Sequence, residues 1–260
     1  MPIKSPYTTD KFRPVALTIA GYDPSGGAGV LADIKTFEAM GVYGLAVITG
    51  NTFQNDIVFC GVSWLDKNEK EENVALLAER FPIIAIKLGM HKNLDEVLHS
   101  VKLCQRFFPN AKIVWDPILS ASAGFDLNIK IHKTSLGKIL ASLTLITPNQ
   151  NEACELGGSK DSHIAAINLS KLCPTLLKGG HSSDKKTSTD YLFVDGLIKQ
   201  EYATSRIKAA EKHGSGCVLS SAISASLAKG DMLETAIGRG KKYVTSFLKS
   251  NNTLLGYHLN

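Results

Sequence analysis

The residues whose types and spacing best suit chemistry are His213-Gly214-Ser215-Gly216-Cys217. A serine between two glycines leads into small residues, in which Val218, Ser221, Ala222 and Ala225 keep helical spacing. A glycine turn feeding a helix leaves backbone N–H groups unpaired and aimed outward, and the helix dipole adds partial positive charge there. Such a terminus binds anions. Cys217 stands at the same terminus, where a thiol is expected to have a lowered pKa. The pattern also suits a plain helix start with a buried cysteine.

A second glycine loop, Gly21-Tyr-Asp-Pro-Ser-Gly-Gly-Ala-Gly29, follows a short apolar run at 15–20. It is no Walker A loop, because Gly27 stands where the lysine belongs. Residues 27–32 match G-x-G-x-x-A, but a dinucleotide site wants an acid about 20 residues further on. Thr49-Gly50-Asn51 supplies none there. Asp116 and Glu152 are the best cation candidates, able to hold magnesium and its nucleotide phosphates largely through water. A lone acid at a strand end is also a common helix cap. Lys178 before two glycines adds positive charge, or is a plain surface lysine. A phosphatase-type C-x5-R would need arginine at 223, which is isoleucine, and the histidines show no metal-ligand spacing.

These residues need elements to hold them. Apolar runs at 15–20, 45–49, 83–88, 111–115, 143–146 and 175–177 read as buried strands, 57–65 reads as extended, and amphipathic stretches between them read as helices. Strand, glycine loop, helix, strand is the unit of a parallel sheet. Asp195-Gly196 between two β-rich runs marks a hairpin. The expected fold class is α/β: a three-layer sandwich, its mostly parallel sheet flanked by helices and ending in an antiparallel edge hairpin. Ligands bind such sheets outside the carboxyl ends of the strands. Here those ends read Gly21-Tyr-Asp23, Asn51-Thr-Phe-Gln54, Gly89-Met90, Asp116-Pro117, Thr147-Pro-Asn149 and Lys178-Gly-Gly.

The chain has 260 residues, 44% hydrophobic and 20% charged, enough for a sizeable core. Its net charge of +5 is spread out, without the clustered basic stripe and interleaved aromatics of a nucleic-acid binder. Five cysteines form no C-x-x-C pair, which fits free thiols in a reducing cytoplasm. No apolar run is long enough to span a bilayer. Residues 1–14 read as a loose polar tail and 15–260 as one domain.

Taken together, the loop at 16–37, Gly41-Val-Tyr-Gly, Lys87-Leu-Gly-Met, Thr147-Pro-Asn-Gln-Asn-Glu-Ala, Leu177-Lys-Gly-Gly-His and the run from His213 to Ile223 carry a resemblance. They resemble the hydroxymethylpyrimidine/phosphomethylpyrimidine kinases of thiamin synthesis, which have the ribokinase-like fold. The resemblance spans about residues 15–250. It implies ATP- and magnesium-dependent phosphorylation of 4-amino-5-hydroxymethyl-2-methylpyrimidine and then of its monophosphate. Gly214, Ser215 and Gly216 would form the anion hole, and Cys217 would accept the hydroxyl proton. Gln54 would read the pyrimidine, with Gly21, Ala28, Met90 and Asp33 at the ring pocket. Asp116 and Glu152 would arrange Mg-ATP, while Lys178 and Lys241 would meet phosphate oxygens. A homodimer is implied as well.

Three departures stand out. Glu211-Lys212 replaces the family's Asn-Thr and Ser215 its threonine; Phe53 enters the usual T-A-Q-N-T, where it is expected to narrow or reshape the ring pocket; and Ile118 to Gly124 replaces V-M-V-A-K-S-G. A pyridoxal kinase of the same fold is the nearest rival reading. A pyrimidine-binding protein without catalysis is the rival of another class.

Overall fold

The computed structural model of the protein describes residues 12–119, 129–180, 186–207 and 212–259. Val15–Tyr22 (β1) is buried along almost its whole length, as a strand covered on both faces must be. The glycine loop after it opens into Gly29–Ala39 (α1), and the chain returns along Tyr43–Gln54 (β2) and Phe59–Trp64 (β3). Lys67–Arg80 (α2), Ile83–Leu88 (β4), Leu94–Phe107 (α3), Lys112–Trp115 (β5), Lys133–Leu140 (α4) and Leu145–Ile146 (β6) continue the alternation. Gln150–Gly157 (α5), Ser162–Ser170 (α6) and Thr175–Leu177 (β7) precede the hairpin Thr187–Val194 (β8) and Leu197–Ser205 (β9). Ser215–Ala228 (α7) and Leu233–Lys249 (α8) close the fold.

Among the described residues one sheet has nine strands in the order β3-β2-β1-β4-β5-β6-β7-β8-β9. The stretch from β2 to β7 is parallel. The hairpin at one edge is antiparallel, as expected, and Asp195 and Gly196 both take positive φ (51° and 80°), as its tight turn requires. The other edge holds a feature the alternation did not announce. The end of β2 runs on past β1 and pairs only with antiparallel β3, forming a two-stranded flap.

Helices α1, α7 and α8 cover one face of the sheet and α2 to α6 the other. The central helix is α7, buried from Cys217 to Ala228, and its alanines and serines let α1, α8 and the sheet approach closely. The chain leaves β1 toward β2 on one side and later lays β4 on the other, so the sheet's switch point lies at the end of β1. Residues 12–14 are tied down: Pro14 accepts a hydrogen bond from the Tyr43 amide and Arg13 pairs with Glu38. Residues 1–11 of the tail expected over 1–14 lie outside the described residues.

Candidate active site

The two glycine loops meet at the end of β1. Gly214 has φ +74°, and a methyl group there would lie 2.0 Å from the Gly27 carbonyl oxygen. Gly29 has φ +59°, and a methyl group there would strike the Gly21 carbonyl at 2.2 Å. Only glycine allows both the backbone conformation and this approach. Asp23 joins the loops chemically. Its carboxylate accepts hydrogen bonds from the Ser25 amide and hydroxyl, the Ala28 amide and, at 2.9 Å, the His213 ring. Burial opposes the charge on Asp23, but these bonds outweigh it and hold the pKa below the usual carboxylate value.

Gly216, inside the first turn of α7, faces a buried acid–lysine pair. A methyl group at 216 would sit 3.4 Å from Lys178 Nζ and 3.8 Å from Asp116 Oδ2. Lys178 donates to Asp116 at 2.8 Å, and Thr147 and Ser220 donate to the same carboxylate. Burial works against ionisation of Asp116, yet Lys178 and Lys87 keep its pKa low. Lys178 is likewise disfavoured by burial and raised by Asp116 and Glu152. Glu152 lies 3.8 Å from Lys178 and forms a capping box with Asn149 at the start of α5. Burial pushes its pKa up to about 7; Lys178 offsets part of this and Asp116 adds to it.

A second pair lies behind the first. Asp33, fully buried, accepts from Lys87 at 2.8 and 3.0 Å, from Thr18 at 2.6 Å and from Ser221 at 2.6 Å. Consecutive serines of α7 thus each bind one pair: Ser220 the Asp116–Lys178 pair and Ser221 the Asp33–Lys87 pair. Burial opposes the charge on Lys87, and Asp33 more than restores it. The carboxylate of Asp33, expected at the ring pocket, is enclosed and occupied by these four bonds.

Cys217 is 5% exposed between these pairs. The lowered pKa expected at a helix start does not hold: burial pushes it up to about 11, against the opposing pull of Lys87 and of a hydrogen bond from the Gly29 amide. Desolvation outweighs the dipole because the thiol is enclosed.

Met90 packs on Gly21, where a methyl group would touch its Cε at 2.4 Å, and its carbonyl accepts from Thr49. Gln54 ends β2 on the flap, half-buried, and Thr52 beside it donates to the Tyr22 carbonyl, tying flap to loop. Phe53, expected to narrow or reshape the ring pocket, lies opposite Gly61 and is 55% exposed, next to a register shift between it and Gln54. Lys241 is bound to Asp190 at 2.9 Å, whose other oxygen holds the Gly179 amide. It reaches the Lys178 loop through that carboxylate. The residues at 211 and 120–124, two of the departures, lie outside the described residues apart from Lys212, Ile118 and Leu119.

The structure therefore gathers Gly21, Ala28, Met90 and Gly214 at one corner, and Asp116, Glu152, Lys178 and Gly216 at the next, with Cys217 between. Sequence reasoning gave no role to Asp23, His213 or Lys87. For Lys87 a signal existed: it is the one charge in the apolar run Ile83–Leu88.

Comparison with known proteins decides the lineage. Residues 23–259 match the family model described as phosphomethylpyrimidine kinase. The chain belongs to the phosphomethylpyrimidine kinase family. It is 34% identical over 240 residues to a hydroxymethylpyrimidine/phosphomethylpyrimidine kinase of Staphylococcus aureus, covering 89% of this chain and 86% of the relative. Among solved structures, the phosphomethylpyrimidine kinase of Clostridium difficile superposes with TM-score 0.74 at 32% identity, covering 90% of this chain and 99% of that one. An ADP complex of Bacillus subtilis pyridoxal kinase superposes with TM-score 0.78 at 29% identity, covering 91% and 92%. The family member thus has the ribokinase-like α/β fold expected of it.

Proposed function

We propose that this family member transfers the γ-phosphoryl group of ATP to the hydroxymethyl group of 4-amino-5-hydroxymethyl-2-methylpyrimidine and then to its monophosphate, in thiamin biosynthesis. The observation that carries the reading is the first turn of α7, where a methyl group at Gly216 would stand 3.4 Å from Lys178 Nζ and 3.8 Å from Asp116 Oδ2. Phosphoryl transfer asks the protein for in-line positioning and for stabilisation of charge spread over oxygens. Backbone amides of Gly214, Ser215 and Gly216, held by the rigid contact with Gly27, offer that without side-chain reorganisation.

Lys178, already charged, would meet phosphate oxygens beside them, with Lys241 behind it. Gln54 would hydrogen-bond the ring, with Gly21, Ala28 and Met90 shaping the pocket. Cys217 would take the hydroxyl proton as the new O–P bond forms. Its thiol is protonated in the free site at neutral pH, so that role requires its own proton to pass first to solvent water, and the Lys87 ammonium is the buried charge that favours the resulting thiolate.

Asp116 and Glu152 suit a magnesium ion held mostly through water. No cluster of three or more His, Cys, Asp or Glu side chains that could cage a metal occurs among the described residues. A buried carboxyl with a pKa near 7 gains from a cation that replaces its proton, and Glu152 Oε1 has no protein partner among the described residues. Bound with ATP, the ion would neutralise charge on the phosphates.

We further propose a homodimer in a reducing cytoplasm. The described cysteines are all free, and the flap exposes Phe53, Ile57 and Val58 at its tip. No helix among the described residues is long and apolar enough to cross a membrane. Pyridoxal is the second alcohol to test, because several of the similar solved structures are pyridoxal kinases. Incubation with both alcohols and Mg-ATP, read by mass spectrometry, is expected to show one and then two phosphates on the pyrimidine. Phosphate on pyridoxal alone would overturn the assignment.

A further inference from the structure

Lys212, which stands where the family pattern has threonine, is a buried lysine with an unusual set of partners. It is 4% exposed, and no carboxylate forms an ion pair with it among the described residues. Its ammonium instead donates to the Asn251 carbonyl at 2.8 Å, to the Asn251 side-chain oxygen and to the Thr253 carbonyl. An ammonium has three donors, and three oxygens of one short segment take them. A threonine at this place has neither the reach nor the donors.

That segment, 251–258, follows α8 and lies across both glycine loops. The Leu254 carbonyl accepts the His213 amide at 2.9 Å, one residue from Lys212. Leu255 packs against Gly27, where a methyl group would meet its Cδ2 at 2.7 Å. Further on, His258 contacts the Thr36 hydroxyl of α1 at 3.4 Å and the Tyr243 hydroxyl of α8 at 3.2 Å. The segment is braced internally as well, with Asn251 donating to the Leu255 carbonyl and accepting from the Thr253 amide. It is thus anchored at α1, at α8, at the Gly21–Gly29 loop and at the residues that enter α7.

We propose that segment 251–258 is a strap and that Lys212 is the positioning residue through which it sets the Gly214–Cys217 turn. The inference rests on the kinase reading for what the turn does, and on contacts alone for what holds it. Phosphoryl transfer depends on amides held within a fraction of an ångström of their working positions, so a loosened turn costs rate more than it costs ring binding.

The test uses Lys212→Met, which keeps the length of the side chain and removes all three donors. Expected is a fall in kcat of roughly tenfold or more, with the KM for the pyrimidine alcohol nearly unchanged. Amide hydrogen exchange at 213–217 should quicken in the same variant. Asn251→Ala, a milder change, is expected to move both readouts in the same direction and serves if Lys212→Met does not fold. Unchanged exchange at 213–217 in both single variants overturns the strap, whatever the activity. A wild-type chain that phosphorylates neither alcohol fails the kinase reading instead, and the exchange result still decides the strap.

Discussion

The Nε2 atom of His213 stands 2.9 Å from Oδ2 of Asp23, although 190 residues separate them in the chain. This hydrogen bond fastens the turn that enters α7 to the loop that leaves β1. Beside it the backbones of Gly214 and Gly27 come so close that neither loop can hold its shape without the other. The turn that enters α7 is therefore a product of two loops.

Removing the fastener should cost both stability and rate. Asp23→Ala leaves four donors without their acceptor. A loss of about 3 kcal/mol is expected in urea unfolding. The fall in kcat/KM for ATP should exceed what the stability loss explains at temperatures where the variant is fully folded.

Gly214→Ala and Gly41→Ala separate backbone strain from collision. Both glycines have φ +74°, but a methyl group at 41 meets nothing within 4 Å, whereas at 214 it meets the Gly27 carbonyl. Gly41→Ala should cost about 1 kcal/mol and leave kcat intact. Gly214→Ala should lower kcat by roughly a hundredfold.

Alkylation reports the state of the thiol. Cys217 is 5% exposed, with its pKa pushed up to about 11 by burial, while Cys60 is exposed. At neutral pH Cys60 should react with iodoacetamide well before Cys217, as peptide mapping would show. Cys217→Ala should depress kcat by roughly a hundredfold or more if the thiol is the proton acceptor.

The Asp33–Lys87 pair should show strong coupling. Lys87→Met strands a buried carboxylate and is expected to cost about 3–5 kcal/mol. Adding Asp33→Asn removes that stranded charge while keeping an acceptor for Thr18 and Ser221. The double variant should be more stable than Lys87→Met alone in denaturant titration.

Acid should weaken the fold in a defined window. His91 is buried between the Gly89 carbonyl and the Ser100 hydroxyl, and burial lowers its pKa from 6.5 to about 4. Below about pH 6.5 the unfolded chain takes a proton that the folded chain refuses. Stability is therefore lost as pH falls from about 6.5 to about 4, by about 3 kcal/mol for this group. His258, also lowered to about 4 by burial, acts in the same direction. Thermal melts of His91→Gln should show a shallower loss across that window.

Much of the frame was legible in the sequence because it depends on local patterns. Apolar runs ended by glycine or proline marked the parallel strands, Asp195-Gly196 marked the edge hairpin, and a glycine turn before small residues marked α7. The extended stretch at 57–65 was legible, but its antiparallel pairing as a flap was not, because it arises from β2 extending past its neighbour, a matter of pairing length that residue pattern does not carry.

By itself the sequence determined which residues are available and which turns must be glycine: the two loops, the rim acids, Lys178 and Cys217. Tertiary structure decided how their charges behave. Burial raised the Cys217 thiol where a helix start suggested the opposite, enclosed Asp33 with Lys87, and placed Glu152 near neutrality. Those outcomes depend on desolvation and on partners brought together from distant parts of the chain, such as Lys178 against Asp116 and Lys212 against Asn251. Spacing along a chain measures neither.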